Sequence, residues 1–313
     1  MSKKWLTIIK IVVACAAFAF IVFRIKEQIE KGAGLRITDF KLLPMLAAVA
    51  LMPLNYLIES FKWQNLLANI QQLKIWQATK SVLAGLAASM VTPNRIGDFA
   101  GRIMMLSAGN RAAGTMASFV GSCAQMLVIA AFGVAAFACN IELPRQLQIF
   151  QDNHLLTLIT LIIILIAAVI LFFNISRMAA KIRIKRSDVL KNFVEAMGLY
   201  RAKHLATVLA ISAVRYVVFA IQFYLVIRSF GIDLDLLTGL CAIAFIYCFV
   251  TIVPTFALAE WGVRGSAALF FLSPFGGSAV AIMSATIAVW LINIGLPALA
   301  GAVVMLKSAN QSS

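Results

Sequence analysis

Residues 155–173 read LLTLITLIIILIAAVILFF, without a single charge or proline. A helix of about 20 such residues crosses the hydrocarbon core of a bilayer, which is roughly 30 Å thick. Lipid cannot satisfy the backbone of an open sheet, so helix is the structure we expect. Seven further long stretches are mainly apolar, at residues 5–23, 42–58, 75–93, 112–138, 205–227, 236–254 and 278–306. We therefore predict an all-α polytopic integral membrane protein with about eight hydrophobic membrane segments.

The composition supports this interpretation along the whole chain. Of 313 residues, 62% are hydrophobic and 12% are charged, whereas a soluble domain is about a quarter charged. Because the apolar stretches run from end to end, we predict one transmembrane domain over residues 1–313. No nucleic-acid partner is expected, since the basic residues behind the net charge of +15 lie mainly between the apolar stretches. Loops of that kind orient helices and face anionic lipid headgroups.

The most basic of these loops spans residues 174–204 and contains eight lysines and arginines. The charge rule predicts that it is cytoplasmic. Two topologies remain open around it. In one, all eight stretches span and the amino terminus lies outside. In the other, residues 75–107 and 236–272 form re-entrant hairpins, six helices span, and the amino terminus lies inside.

The chain carries few groups suited to metal or redox chemistry. Its five cysteines are odd in number and form no C-x-x-C pair, so we interpret them as small hydrophobic residues. The two histidines, His154 and His204, lie near segment ends. We therefore predict no metal site and no cofactor.

Two polar interruptions of the apolar pattern resemble each other. They are VTPNRIGDFAGR at residues 91–102 and IVPTFALAEWGVR at residues 252–264. In each, an apolar run meets a proline, an acid follows five or six residues later, and an arginine comes four residues after the acid. Proline ends a helix, and the helix that follows begins with free backbone N–H groups. On that new helix, the acid and the arginine are four residues apart and therefore share a face.

The similarity of these two segments predicts two broken or re-entrant helices, around residues 91–103 and 252–265, and a possible inverted internal repeat. Interrupted segments in two halves of a chain are typical of a transporter site. The alternative is that short polar junctions look alike by chance. The predicted break residues are Pro93, Gly97, Pro254 and Gly262.

Charged residues inside the apolar stretches form the candidate site. A charge at the bilayer centre costs roughly 2.5–3.5 kcal/mol on insertion scales, so such residues usually have a role. The guanidinium group of an arginine suits phosphate oxygens, and Asp98 would orient one of the candidate arginines. Arg215 lies in the middle of its stretch and needs water or an acid from another helix, whereas Glu59 follows the end of stretch 42–58 and is interpreted as structural. The predicted substrate-binding residues are Arg95, Asp98, Arg102, Arg215, Glu260 and Arg264.

Several of these motifs resemble the lysylphosphatidylglycerol synthase transmembrane family, also called flippase-like membrane proteins. The motifs are LIESFKWQNLL at residues 57–67, TPNRIGD at 92–98 with Arg102, IRSFG at 227–231, and the proline–acid element at 254–260 with Gly262. The chain departs from the family pattern in two places. Residues 255–259 are TFALA where the family usually has glycines, and Ser122 and Gln125 stand where an arginine–aspartate pair is often found.

The resemblance implies movement of a phospholipid or a lipid-linked headgroup, with an anionic headgroup as the expected partner, across the cytoplasmic membrane of a bacterium. Larger members carry a soluble aminoacyl transferase domain. The last apolar stretch ends near residue 306, so we expect a stand-alone member that is not an enzyme. The alternatives are a membrane scaffold that recruits a soluble envelope-modifying enzyme through loop 174–204, or, as a weaker case, a lipid-modifying membrane enzyme.

Overall fold

The computed structural model describes residues 40–90, 92, 96–139, 152–181, 188–253 and 257–310; the side chains of residues 181, 188–192, 257–261 and 307–310 lie outside that description. The predicted first segment, residues 5–23, also lies outside it, as do Pro93, Arg95 and Pro254.

The described part of the chain is all-helical, as predicted. Its helices are α1 (Leu42–Leu66), α2 (Ile75–Met90), α3 (Ile96–Met104), α4 (Arg111–Ala138), α5 (His154–Phe173), α6 (Ile175–Lys181), α7 (Asp188–Met197), α8 (Ala202–Ser229), α9 (Leu236–Ile252), α10 (Ala257–Leu272), α11 (Ala279–Trp290) and α12 (Leu296–Asn310). A π-helical segment, Leu291–Gly295, joins the last two. Among the described residues, five helical stretches are long and apolar enough to cross a membrane: Leu42–Leu66, Ala108–Ala138, His154–Phe173, Ala202–Ser229 and Ala279–Leu306.

Helices α2 and α3 form an antiparallel hairpin. Gly97 on α3 lies against the Ala88 carbonyl on α2, and a methyl group at Gly101 would stand 2.5 Å from the Ala84 carbonyl oxygen. The loops before and after the hairpin are joined, because the Gln71 side chain accepts hydrogen bonds from the Ser107 backbone N–H and hydroxyl, each at 3.1 Å. The hairpin therefore begins and ends at the same place.

Helices α9 and α10 form a second hairpin. The Asp235 carboxylate caps α9 by accepting from the Thr238 backbone N–H at 3.0 Å. The hairpin also returns to its start, since a methyl group at Gly277 would lie 3.0 Å from Ile232. Gly277 has φ +92°, a conformation that favours glycine.

These contacts agree with the topology of two re-entrant hairpins. Helices α2 and α9 have 16 and 17 residues, which is fewer than the roughly 20 that a span requires. The side on which the amino terminus lies stays a prediction, because segment 5–23 is outside the described residues.

The chain forms two compact units whose boundaries fall within the long helices. Unit A comprises Met1–Met52, Phe132–Thr160 and Phe219–Gly295, and unit B comprises Pro53–Ala131, Leu161–Val218 and Leu296–Ser313. The second hairpin belongs to unit A and the first to unit B.

Part of the basic loop 174–204 is packed against α1 within unit B. The buried Tyr200 hydroxyl donates to the Leu66 carbonyl at 3.2 Å, and Nε2 of His204 lies 2.8 Å from the Asn65 carbonyl. Burial raises the pKa of the Tyr200 phenol, so it remains a neutral donor. The basic side chains of Arg177, Arg201 and Lys203 remain exposed.

Candidate functional site

A buried polar face on α1 provides the centre of the candidate site. Asn55, Glu59 and Lys62 follow one another at helical spacing, and each is almost fully buried. Helix α1 continues to Leu66, well past the apolar stretch 42–58. Glu59 therefore lies inside a helix, which corrects its interpretation as a helix-end residue.

The Glu59 carboxylate forms ion pairs with three cations from three helices. Its Oε2 lies 2.8 Å from Lys62 Nζ, one turn further along α1. Arg102 on α3 places Nη1 2.8 Å from Oε1, and Arg215 on α8 places Nη1 2.9 Å from Oε2. We call Glu59, Lys62, Asp98, Arg102 and Arg215 the charge cluster; all five belong to unit B.

Arg102 bridges Glu59 to Asp98. Its Nε lies 3.0 Å from Oδ2 of Asp98, which is the i,i+4 pair that the sequence predicts. The guanidinium also lies over the Trp63 ring, 5.6 Å from the ring centroid, where a cation–π interaction is favourable. The Ser81 hydroxyl donates to the Arg102 carbonyl at 2.8 Å, which ties the end of α3 to α2.

Two glycines allow α3 to bring Asp98 and Arg102 to the cluster. A methyl group at Gly85 would stand 2.7 Å from the Asp98 carbonyl oxygen, and one at Gly101 would stand 2.6 Å from the Gly85 Cα. The backbones of the hairpin thus approach more closely than residues with a Cβ permit. Gly97, predicted as a break residue, is the second residue of α3, and its N–H donates to the Thr92 hydroxyl at 2.8 Å.

Arg215 joins the cluster from the middle of α8. Besides Glu59, its Nε donates to the Asn55 side chain at 2.9 Å, and its Nη1 lies 3.4 Å from Oε1 of Gln125. The partner is thus an acid on another helix, one of the options that the sequence leaves open. Gln125 supplies an uncharged acceptor.

The cluster contains three cations and two carboxylates, which leaves one net positive charge. The side chains of Glu59 and Lys62 are buried, whereas 27% of the Arg215 side chain and 26% of the Asp98 side chain are exposed. In the part of the chain that the structure describes, no partner is found for Nη2 of Arg102 or of Arg215. The exposed edge of the charge cluster, at Arg102 and Arg215, can therefore accept an anion.

Unit A contains the counterpart element. Arg264 on α10 lies over the Tyr247 ring, 5.6 Å from its centroid, and its Nη1 is 3.5 Å from the Tyr247 hydroxyl. Tyr247 in turn packs edge-on against Phe219 at 4.8 Å. The Glu260 side chain is not among those described, so the predicted Glu260–Arg264 pair stays a prediction.

Gly262 does not break a helix, which corrects the prediction. It lies within α10, and a methyl group there would meet none of the described residues within 4 Å. Among those residues, no close approach requires a glycine at this position. Helix α9 ends at Ile252, where Val253 has an extended conformation, and α10 begins at Ala257.

The structure brings Asp98, Arg102 and Arg215 together, and Arg264 belongs to the other unit. Glu59 and Lys62 are absent from the set that the sequence predicts. The available signal was their place in LIESFKWQNLL, where Asn55, Glu59 and Lys62 share one helical face. Both histidines bind backbone carbonyls, and the described residues contain no group of three or more His, Cys, Asp or Glu that could hold a metal.

Comparison with known proteins identifies the family. A family model described as the lysylphosphatidylglycerol synthase TM region matches residues 7–301. A comparison with curated proteins finds no match.

Proposed function

We propose that this chain, which belongs to the lysylphosphatidylglycerol synthase TM region family, carries an anionic phospholipid or lipid-linked headgroup across the cytoplasmic membrane of a bacterium. The observation that supports this best is the net positive charge cluster with a partly exposed edge, held among membrane-spanning helices. Retaining five charges in lipid is costly, and such groups usually mark a substrate pathway.

The phosphate of a headgroup would bind at Arg102 and Arg215. Both guanidinium groups contact the same Glu59 carboxylate, so both lie within reach of one phosphate. Each has Nη2 available to donate, and guanidinium–phosphate hydrogen bonds are strong and directional. Glu59 and Asp98 hold the two guanidinium groups in place, while the acyl tails of the lipid stay in the bilayer.

The exposed edge opens towards a lipid-facing surface of α8. On either side of Arg215, Val214 and Val217 are 55% and 41% exposed. Apolar neighbours of this kind suit a ligand whose charged end enters the protein while its tails remain outside. We propose a carrier, not an enzyme, because the cluster offers binding and orientation and needs no bond-breaking group for that task.

The competing candidate is a scaffold that recruits a soluble enzyme. The observation in its favour is the exposed basic surface formed by Arg177, Arg201 and Lys203 on the folded loop 174–204. A scaffold would depend on that surface and be indifferent to the charge cluster.

The test is transfer of fluorescent phospholipids by the purified protein in liposomes. The panel compares singly anionic, zwitterionic and cationic aminoacylated headgroups. We expect acceleration over protein-free vesicles for an anionic lipid, and a decrease of about 10- to 100-fold in Arg215→Gln, which corresponds to roughly 1.5–3 kcal/mol for hydrogen bonds to a charged group. Lys80→Gln is the matched control, since Lys80 lies over the Trp76 ring and outside the cluster.

A triple variant with glutamine at Arg177, Arg201 and Lys203 separates the candidates. A carrier keeps its transfer rate in this variant. Unchanged transfer in both Arg102→Gln and Arg215→Gln, with each variant monodisperse on size exclusion, would show that the proposed site is wrong.

A further inference from the structure

Two cysteines of unit A, Cys139 and Cys241, lie close to each other where α4 ends and α9 begins. Cys139 directly follows α4, and Cys241 lies within the first turns of α9. Cys241 packs with Ala136, one turn before Cys139, and with Ala244 and the flanking Phe132. Gly133, one turn before Ala136 on α4, lies against Sγ of Cys248, two turns after Cys241 on α9, so the two helices pack antiparallel. The same register places Cys139, one turn after Ala136, beside the first turns of α9 that contain Cys241. Both thiols are free in this structure.

The two thiols differ in access. Cys139 is exposed, whereas Cys241 is buried with 5% of its surface accessible. An incoming reagent therefore meets Cys139 first, and Cys241 is held next to it and protected from direct attack. This is the arrangement of an attacking thiol with a resolving thiol.

Chain order places this pair on the side of the membrane opposite to loop 174–204. A single span, α5, separates that loop from residues 139–153, and a single span, α8, separates it from residues 230–235. The charges agree, because loop 174–204 has eight basic residues, residues 139–153 have one, and residues 230–235 have none. By the positive-inside rule, Cys139 and Cys241 belong to the non-cytoplasmic side.

We propose that Cys139 and Cys241 form a disulfide in the oxidising compartment outside the cytoplasm. The oxidant is a protein disulfide of the thiol–disulfide exchange type, which such compartments maintain. The Cys139 thiolate attacks one sulfur of that disulfide, forms a mixed disulfide and releases one oxidant thiolate. Cys241 loses its proton and attacks the Cys139 sulfur, which releases the second oxidant thiolate. The two cysteines are oxidised by two electrons, and the oxidant is reduced to a dithiol.

The disulfide would connect the end of α4 to the start of α9, at the entry to the second hairpin. It rests on the fold and the charge distribution alone and is independent of the proposed transport of lipids. The interpretation of all five cysteines as small hydrophobic residues then holds for the other three.

The test counts free thiols in the full-length protein. Cells expressing it are quenched in acid, denatured, and treated with a polyethylene glycol maleimide with or without prior reduction. Of the five cysteines, we expect three adducts without reduction and five after it. Cys139→Ser and Cys241→Ser should each show four adducts under both conditions, since each leaves one unpaired partner.

Cys123→Ser is the matched control, with two adducts expected before reduction and four after. Five adducts in the unreduced wild type would overturn the proposal, as would an oxidation-dependent difference that persists in Cys139→Ser. The sidedness has its own readout. In Cys241→Ser, a membrane-impermeant maleimide should label Cys139 in intact cells from outside, and labelling confined to inverted vesicles would contradict the assignment.

Discussion

At the scale of single residues, Glu59 determines how the site is organised. One buried cation and two partly buried cations converge on its carboxylate from α1, α3 and α8. Taking such charges out of water is costly, and the arrangement is tolerable because each ion is paired. Removing the carboxylate leaves three cations without their common partner.

We therefore expect Glu59→Gln to be strongly destabilising, by about 3–5 kcal/mol, the usual cost of breaking a buried ion pair. Unfolding followed by circular dichroism in mixed micelles with increasing dodecyl sulfate measures it. Adding Lys62→Met to Glu59→Gln should recover part of the loss, because it removes one uncompensated charge. If Lys62→Met lowered the free energy of unfolding by the same amount in Glu59→Gln as in the wild type, the contribution of Lys62 to stability would be independent of Glu59.

The sequence predicts local pairs better than distant ones. Asp98 and Arg102 lie four residues apart, so helical spacing alone places them on one face. Arg102 and Glu59 are 43 residues apart, and no spacing rule connects them. The polar run after residue 58 also looked like the end of a helix, although a buried ion-paired face allows α1 to continue through it.

At the scale of secondary-structure elements, backbone proximity holds the first hairpin together. The α2–α3 crossing depends on Gly85 and Gly101, and α12 packs on α2 through Gly301, which lies against the Leu83 carbonyl. The sequence prediction of the breaks relied on prolines, which favour the end of a helix but do not always end one, since Pro53 lies inside α1. They do not show which residues will make the return contact.

A matched pair of glycine substitutions tests how much the close approach of the helix backbones contributes to stability. Gly101→Ala should destabilise by about 1–3 kcal/mol, since its methyl group collides with backbone and cannot be accommodated by a rotamer change. Gly262→Ala should be neutral or stabilising by up to about 1 kcal/mol, because the space is open and alanine favours helix. Thermal unfolding in detergent compares them. Equal losses in the two variants would mean that helix propensity or lipid contacts outweigh the close approach.

The cap of α9 should make stability depend on pH. Hydrogen bonding to the Thr238 N–H lowers the pKa of the exposed Asp235 below its ordinary value. A lowered folded-state pKa gives stability that is fully present above the unfolded value, about 3.9, and is lost as the pH falls through the folded value. The melting temperature of the wild type should therefore exceed that of Asp235→Ala at pH 6, and the gap should narrow towards pH 3. A gap that is constant with pH would exclude the ionised cap.

At the scale of the whole molecule, the order of spans and hairpins predicts the topology. If the five long apolar helices span and the two hairpins do not, the loops around α2–α3 are two spans from loop 174–204 and are expected on its side, whereas those around α9–α10 are one span away and are expected on the other. The hydrophobic pattern predicted the existence of all these segments. It could not separate spans from hairpins, because both are apolar and differ mainly in the contacts that bring their ends together.

With five spans described, a crossing by segment 5–23 would place the amino terminus on the cytoplasmic side. We expect an amino-terminal epitope tag to be protected from protease added to intact spheroplasts, and a tag inserted after residue 187 to be protected as well. Both should become accessible once the membrane is permeabilised. An amino-terminal tag that is cleaved in intact spheroplasts would favour the eight-span topology.

The π-helical segment Leu291–Gly295 has a consequence for how this chain is compared with its relatives. A π turn holds one residue more than an α turn, so it behaves as a single-residue insertion between α11 and α12. Relatives without it should show a one-residue gap between positions 291 and 295. An ungapped alignment would shift every later position by one and rotate the inferred face of α12 by about 100°, which would place lipid-facing residues where Gly301 meets Leu83.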